Sequence, residues 1–305
     1  MYFLKRLMAL PPLLLLISLL AFLLVRIAPG GPFDKERKPA SPEIERRLLE
    51  RYHLNEPLWK QYMLYLKGLS RGDFGPSLKQ RNHSVNDIIG QALPVSAALG
   101  ISAFLFALGV GIPLGFYTAV WKGRWFELAG NSMALLFVCV PALVVGPLLV
   151  IVFAVQWKLF PVALWGDPLQ FILPTVTLGI YFSGKVARLM SEGMVKTMHA
   201  PYLVTARAKG LSETRILWKH GFRIAVLPVV SYSGPLLADL LTGSFVVESL
   251  FQIPGMGVFV INSALNRDYL LIVGLVLIYA FLLLVLNLLV DVAYTWLDPR
   301  VRYKS

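Results

Sequence analysis

The sequence predicts an all-α polytopic membrane protein: six transmembrane helices, with a helical extracytoplasmic segment after the first. Hydrophobic residues make up 57% of the 305 residues and charged ones only 15%, where a soluble chain carries about 25% charged residues. Six runs are apolar enough to cross a bilayer, for which about 20 residues suffice. The basic residues also gather on one side of that even number of crossings.

The first run is Leu7 to Val25. Lys5 and Arg6 precede it as in a signal peptide, but it exceeds an h-region of about 7–15 residues and no A-x-A-like site precedes Arg26 or Pro29, so it reads as a retained span. Ile88 to Trp121 is longer than one crossing requires, which puts the second span at Val95 to Val120. The third is Leu128 to Trp157, the fourth Leu169 to Gly184, ending at Lys185, the fifth Ile224 to Val247, interrupted by Asp239, and the sixth Tyr269 to Val290.

Net charge is +12, from 29 Lys and Arg against 17 Asp and Glu. In a soluble chain that excess would raise nucleic acid as a partner; in a membrane chain the position of the charges sets topology. With both termini inside, fifteen basic residues face the cytoplasm, most of them between Lys185 and Arg223, and only Lys158 and Arg267 lie in the short outer loops. The long segment after the first span counts little, so N-in, C-in follows. The single cysteine, Cys139, excludes a disulfide framework and a Cys-based metal site.

The chain divides into residues 1–28, the N-terminus and first span; 29–94, the extracytoplasmic segment; and 95–305, the five-helix core with an inside loop at 188–223. Within 29–94, Ser41-Pro42-Glu43 reads as a helix start and Pro57 opens a second amphipathic helix carrying Leu58, Tyr62 and Leu66. Gly72-Asp73-Phe74-Gly75-Pro76 is rich in turn residues. A cap on the membrane face and a direct binding site both fit this segment. In the inside loop, Tyr202 to Gly210 is a short helical stretch of small residues stopped by glycine, and a second stretch runs from Ser212 to Leu227. Small residues on an exposed helix permit close approach of a partner, while Arg207 and Lys209 can pair with acids or stay solvated.

Gly179 to Val186 imitates a phosphate loop, but Val186 supplies no hydroxyl for Mg²⁺ and the segment is a membrane helix. The histidines His53, His83, His199 and His220 are scattered, and neither H-E-x-x-H nor G-x-S-x-G is present. The chain therefore reads as a non-enzyme. Gly111 and Gly115 form G-x-x-x-G, a device for close helix packing. Ionisable groups within a span default to functional candidates: Asp239 lies among Ser231, Ser233, Gly234, Gly243 and Ser244, as a path-lining group or an interhelical hydrogen-bonding one. Asp291 reads as snorkelling or pairing with a basic loop.

The residues Leu24-Val25-Arg26-Ile27-Ala28-Pro29-Gly30, Gly72-Asp73-Phe74-Gly75-Pro76-Ser77, Thr205-Ala206-Arg207-Ala208-Lys209-Gly210, Asn266-Arg267-Asp268-Tyr269 and Asp298-Pro299-Arg300-Val301-Arg302-Tyr303 together resemble the membrane permease subunits of ABC-type peptide importers, above all the oligopeptide permease B-type subunits. Val204-Thr205-Ala206 stands where the family's coupling motif has E-A-A, and Leu227-Pro228 follows at the longer distance of the peptide-type variant.

The resemblance implies a type I ABC importer permease fold in a prokaryotic cytoplasmic membrane. It also implies a heterodimer with a C-type permease, two cytoplasmic ATPases that bind ATP and Mg, and an external peptide-binding protein, with no cofactor on this chain. Tyr202, Val204, Thr205, Ala206, Arg207, Ala208, Lys209 and Gly210 would form the coupling helix. Dipeptide or nickel import by the same mechanism is the near alternative. A proton-coupled carrier, with Asp239 as relay, is the remote one, and no second half of the chain resembles the first as carrier repeats would.

Overall fold

The computed structural model describes residues 2–27, 55–80, 83–241 and 244–297, and apart from one bridge between Pro76 and Ser84 every regular element among them is helical. The helices are α1 (Tyr2–Ile27), α2 (Leu58–Leu69), α3 (Val85–Val120), α4 (Trp125–Cys139), α5 (Ala142–Leu149, continued by a π-helical turn Val150–Gln156), α6 (Ile172–Met198) and α7 (Pro201–Ala208). After short helical pieces from Glu213 to Ala225 come α8 (Leu227–Leu241), α9 (Phe245–Leu250), α10 (Met256–Asn266) and α11 (Tyr269–Leu297).

The spine is the pair α3 and α6. Its close approach rests on the two glycines of α3: a Cβ on Gly111 would lie 2.6 Å from the Ser183 carbonyl oxygen, and one on Gly115 only 2.2 Å from that of Ala187. The G-x-x-x-G pair thus packs helices within this chain. Leu99, Ala103 and Phe116 of α3, Val186, Met190 and Met194 of α6, and Leu236 and Leu240 of α8 form one continuous buried core. The run Gly179 to Val186 lies wholly inside α6, with no strand-to-helix loop that could cradle phosphate.

Three boundaries differ from the sequence expectation. The helix that carries the crossing expected at Val95 to Val120 begins earlier, at Val85, because Ser84 caps it: Asp87 N donates to Ser84 Oγ at 3.1 Å and Ser84 N to Asp87 Oδ2 at 3.0 Å. The third run is broken, with α4 and α5 bent 103° from each other. Val140 adopts extended backbone there, the conformation favoured before proline, and Pro141 opens the next helix. The fourth helix passes Lys185 and continues to Met198, since Val186, Ala187, Met190 and Met194 carry its buried face onward.

Among the described residues four helices are long and apolar enough to cross a membrane, Leu7–Ile27, Val85–Val120, Leu227–Leu250 and Tyr269–Leu289, and the bent pair adds a fifth. α1 joins the bundle through α11 and α2, where Ala21, Phe22, Tyr65, Val273 and Leu277 are buried together. Its other face exposes Leu16, Leu20 and Leu24, as a lipid-facing helix does. The helix expected from Ser41, the motif from Asp298 and the position of Gly243 lie outside the described residues.

Candidate functional site

The structure brings the candidate residues into two separate places. The first is α7. Ala200 is extended, Pro201 takes the first helical position, where its missing N–H costs nothing, and Gly210 ends the stretch in the left-handed region at φ 74°. Leu203 is fully buried, and the helix packs against the Ile216–Gly221 turn. Tyr202, Val204, Thr205, Ala208, Lys209 and Gly210 are exposed, with Ala206 and Arg207 half-buried. Of the two bases, Arg207 is paired: Nε donates to Glu213 Oε1 at 2.7 Å and Nη2 to Oε2 at 3.3 Å. That fork closes the loop between α7 and the next helical piece and holds the Glu213 carboxyl below its ordinary range. The result is a short ridge, anchored by one leucine and presenting small and polar side chains.

The second place is a recess of about 470 Å³ at the break between α4 and α5, lined by Pro141, Ala142, Leu178, Tyr181, Phe182, Asp239 and Ser244. Asp239 is exposed on α8 although Ala238 and Leu240 beside it are 1% exposed. Asp239 and Ser244 therefore share a site. Ser231 is exposed on the same helix, whereas Ser233 closes onto its own backbone, donating to the Val229 carbonyl at 2.8 Å, and Gly234 is buried. Lys185 sits one turn beyond Tyr181, its ammonium 4.4 Å from that ring's centroid.

Two polar hubs have roles the sequence reading did not assign. Glu248 of α9 is fully buried; Oε1 accepts from Ser96 Oγ at 2.8 Å and Oε2 from Val258 N at 3.2 Å, while Met256 N donates to the same Ser96 hydroxyl at 2.7 Å. A Cβ on Gly255 would stand 2.5 Å from the Glu248 carboxyl carbon, so glycine there is a steric requirement of the buried acid. The signal was an acid just past the apolar run ending at Val247, followed by glycines at 255 and 257.

The other hub is Asp268, 1% exposed. It accepts from Ser77 Oγ, from Leu78 N at 3.1 Å and Lys79 N at 3.3 Å, and from Leu271 N at the start of α11 at 3.4 Å. It joins two motifs far apart in sequence, the turn after Gly72 and the junction at Asn266 to Tyr269. Near the end of α1, Arg26 bonds Gln61 and lies over the rings of Phe22 and Tyr269, at 4.7 and 5.1 Å. Among the described residues no group of three His, Cys, Asp or Glu could hold a metal.

Residues 111–303 match the family of binding-protein-dependent transport system inner membrane components. The chain belongs to this family. Its core from the later part of α3 onward is thus that of a multi-pass inner-membrane transport component, the permease class that the quoted motifs resemble, while α1, α2 and the start of α3 precede the matched region. The oligopeptide transport system permease protein OppB of Haemophilus influenzae is 44% identical over 302 residues, covering 98% of both chains. The dipeptide transport system permease protein DppB of Bacillus subtilis is 40% identical over 301 residues, covering 99% of this chain and 97% of its own. OppB of Escherichia coli K12 is 40% identical over 297 residues, with 97% and 96% covered. In fold the chain is similar to an inward-facing structure of the MetNI methionine ABC transporter, TM-score 0.59 at 13% identity, covering 69% of this chain and 96% of that one.

Proposed function

We propose that this chain is the B-type permease subunit of an ABC importer, forming with a C-type partner permease the path by which oligopeptides enter the cell. The observation that carries the reading is the 44% identity to an OppB protein over 98% of both chains. Two ATPases on the cytoplasmic side bind ATP and Mg and supply the energy; an external binding protein delivers peptide; this chain holds no cofactor and catalyses no reaction. Six crossings follow when α6 is counted with the four long apolar helices and the bent pair, which leaves both termini in the cytoplasm and residues 29–94 outside.

In this reading α7 is the coupling helix. The exposed side chains from Tyr202 to Gly210 enter a cleft of one ATPase, and Leu203 transmits its displacement through the Ile216–Gly221 turn into the core. Nucleotide-driven closure of the ATPases then moves the bundle between inward-open and outward-open states, a rigid-body change between two packings. Asp239, Ser244 and the exposed Ser231 face the path, with Ser233 and Gly234 packing behind it.

Dipeptide import by the same mechanism is the second reading, favoured by the 40% identity to a DppB protein. Purification from the native membrane in mild detergent, with mass spectrometry of the complex and uptake of di-, tri- and pentapeptides in cells lacking the gene, tests both. Co-purification of a second permease and two ATPases, with loss of tri- and pentapeptide uptake, is expected. A chain purified without ATPases, or unchanged peptide uptake, would overturn the importer reading.

A further inference from the structure

The recess at the α4–α5 break holds charges of both signs on two packed helices. Asp239 lines it from α8, and Lys185 of α6 stands beside it, its ammonium 4.4 Å from the ring centroid of Tyr181, which lines the recess. Ionisable groups at such depth are costly to retain without a function. The volume of about 470 Å³ falls in the range of small-ligand sites, about 300–1,000 Å³. Tyr181 and Phe182 line one wall.

Resting on the importer reading above, we propose that this recess is a transit site that recognises both ends of a short peptide, Asp239 taking the α-ammonium and Lys185 the C-terminal carboxylate. The zwitterion lies along the field of the two side chains and replaces their mutual attraction with two charge-assisted hydrogen bonds. The ring faces of Tyr181 and Phe182 accept peptide planes and side chains without selecting among them. The chemistry selects for free termini rather than for sequence.

The test uses the whole transporter, with its binding protein, in proteoliposomes supplied with ATP. Uptake of trialanine, N-acetyl-trialanine and trialanine amide is compared for the wild-type complex and for Asp239→Asn, Asp239→Glu and Lys185→Met. Because the binding protein is common to every arm, its own preference cancels in the ratio of ratios. Asp239→Asn is expected to lower trialanine uptake about tenfold while leaving the N-acetyl peptide within about twofold, and Lys185→Met to do the same for trialanine against the amide, tenfold being about 1.4 kcal/mol. Asp239→Glu keeps the wild-type pattern, which separates lost charge from lost packing. Equal loss for free and capped peptides in both single variants would overturn the transit site while leaving the importer intact. Absence of ATP-dependent uptake by the wild-type complex would overturn the importer reading, and this inference with it.

Discussion

Ser96 and Glu248, 152 residues apart in sequence, share a 2.8 Å hydrogen bond in the interior of the bundle. The same serine hydroxyl accepts the backbone N–H of Met256 at the start of α10, so one side chain of α3 fixes both the acid of α9 and the turn that follows it. Ser96→Ala removes a donor from a buried carboxylate and an acceptor from a buried amide, a loss of about 1–3 kcal/mol for each group left unsatisfied. A clearly lowered thermal unfolding midpoint in detergent is the expected result; a midpoint equal to wild type would show that the hub carries no stability.

Gly255→Ala acts on the same hub from the other side. The added methyl would stand 2.5 Å from the Glu248 carboxyl and 2.6 Å from the Ser96 hydroxyl, and overpacking of this kind costs about 1–3 kcal/mol. Combined with Glu248→Ala, the glycine substitution is expected to cost less than it does alone, read as non-additive unfolding midpoints in a double-mutant cycle.

Asp268 ties the 77–79 turn to the start of α11. Asp268→Ala is expected to expose that turn, seen as faster cleavage near Lys79 in limited proteolysis of the intact chain. Asp268→Asn retains an acceptor oxygen and is expected to fall between the two. Cleavage at the wild-type rate in Asp268→Ala would count against the tie.

Much of the architecture was legible because helix length and hydropathy are local. The runs Leu7 to Val25 and Tyr269 to Val290 match the apolar spans Leu7–Ile27 of α1 and Tyr269–Leu289 of α11 closely at both ends. Pro57 marks a helix start in the sequence, and α2 begins beside it. The break at Val140 and Pro141 is not legible, because apolar composition alone cannot distinguish a straight span from a bent one and the prolines at 94, 113, 147 and 235 sit inside helices without breaking them. The continuation of α6 past Lys185 was missed because the charge was read as a boundary, while the buried face repeats beyond it. Asp239 and Ser244 meet in a recess, but Ser233 turns away from it, a difference of helical phase that proximity in sequence conceals.

The exposed fork between Arg207 and Glu213 contributes little to stability, since exposed pairs are worth about 0.2–1 kcal/mol. The Glu213 carboxyl is held below its ordinary range by the hydrogen bond from Arg207. Its contribution is therefore present above the unfolded carboxylate pKa and lost as pH falls through the lowered folded value. The expected signature is an Arg207–Glu213 coupling energy, from a double-mutant cycle, that is small at pH 7 and vanishes in the acid range. Coupling that grew as the pH fell would contradict the assignment.

Ala206 is half-buried on the α7 ridge proposed to enter the ATPase cleft. Ala206→Trp is expected to lower transport at least about 100-fold, a loss of about 2.7 kcal/mol in coupling, with the chain still inserted and the partner permease still bound. Normal uptake in that variant would remove α7 from the coupling path.

The source of energy for uptake separates an ATP-driven importer from a proton-coupled carrier. Reconstituting this chain with its partner permease, ATPases and binding protein, and measuring peptide entry with ATP present while an ionophore collapses any proton gradient, tests that point alone. Uptake that requires ATP, stops with vanadate and ignores the ionophore is the predicted result; peptide carried by the chain alone down a proton gradient would contradict it.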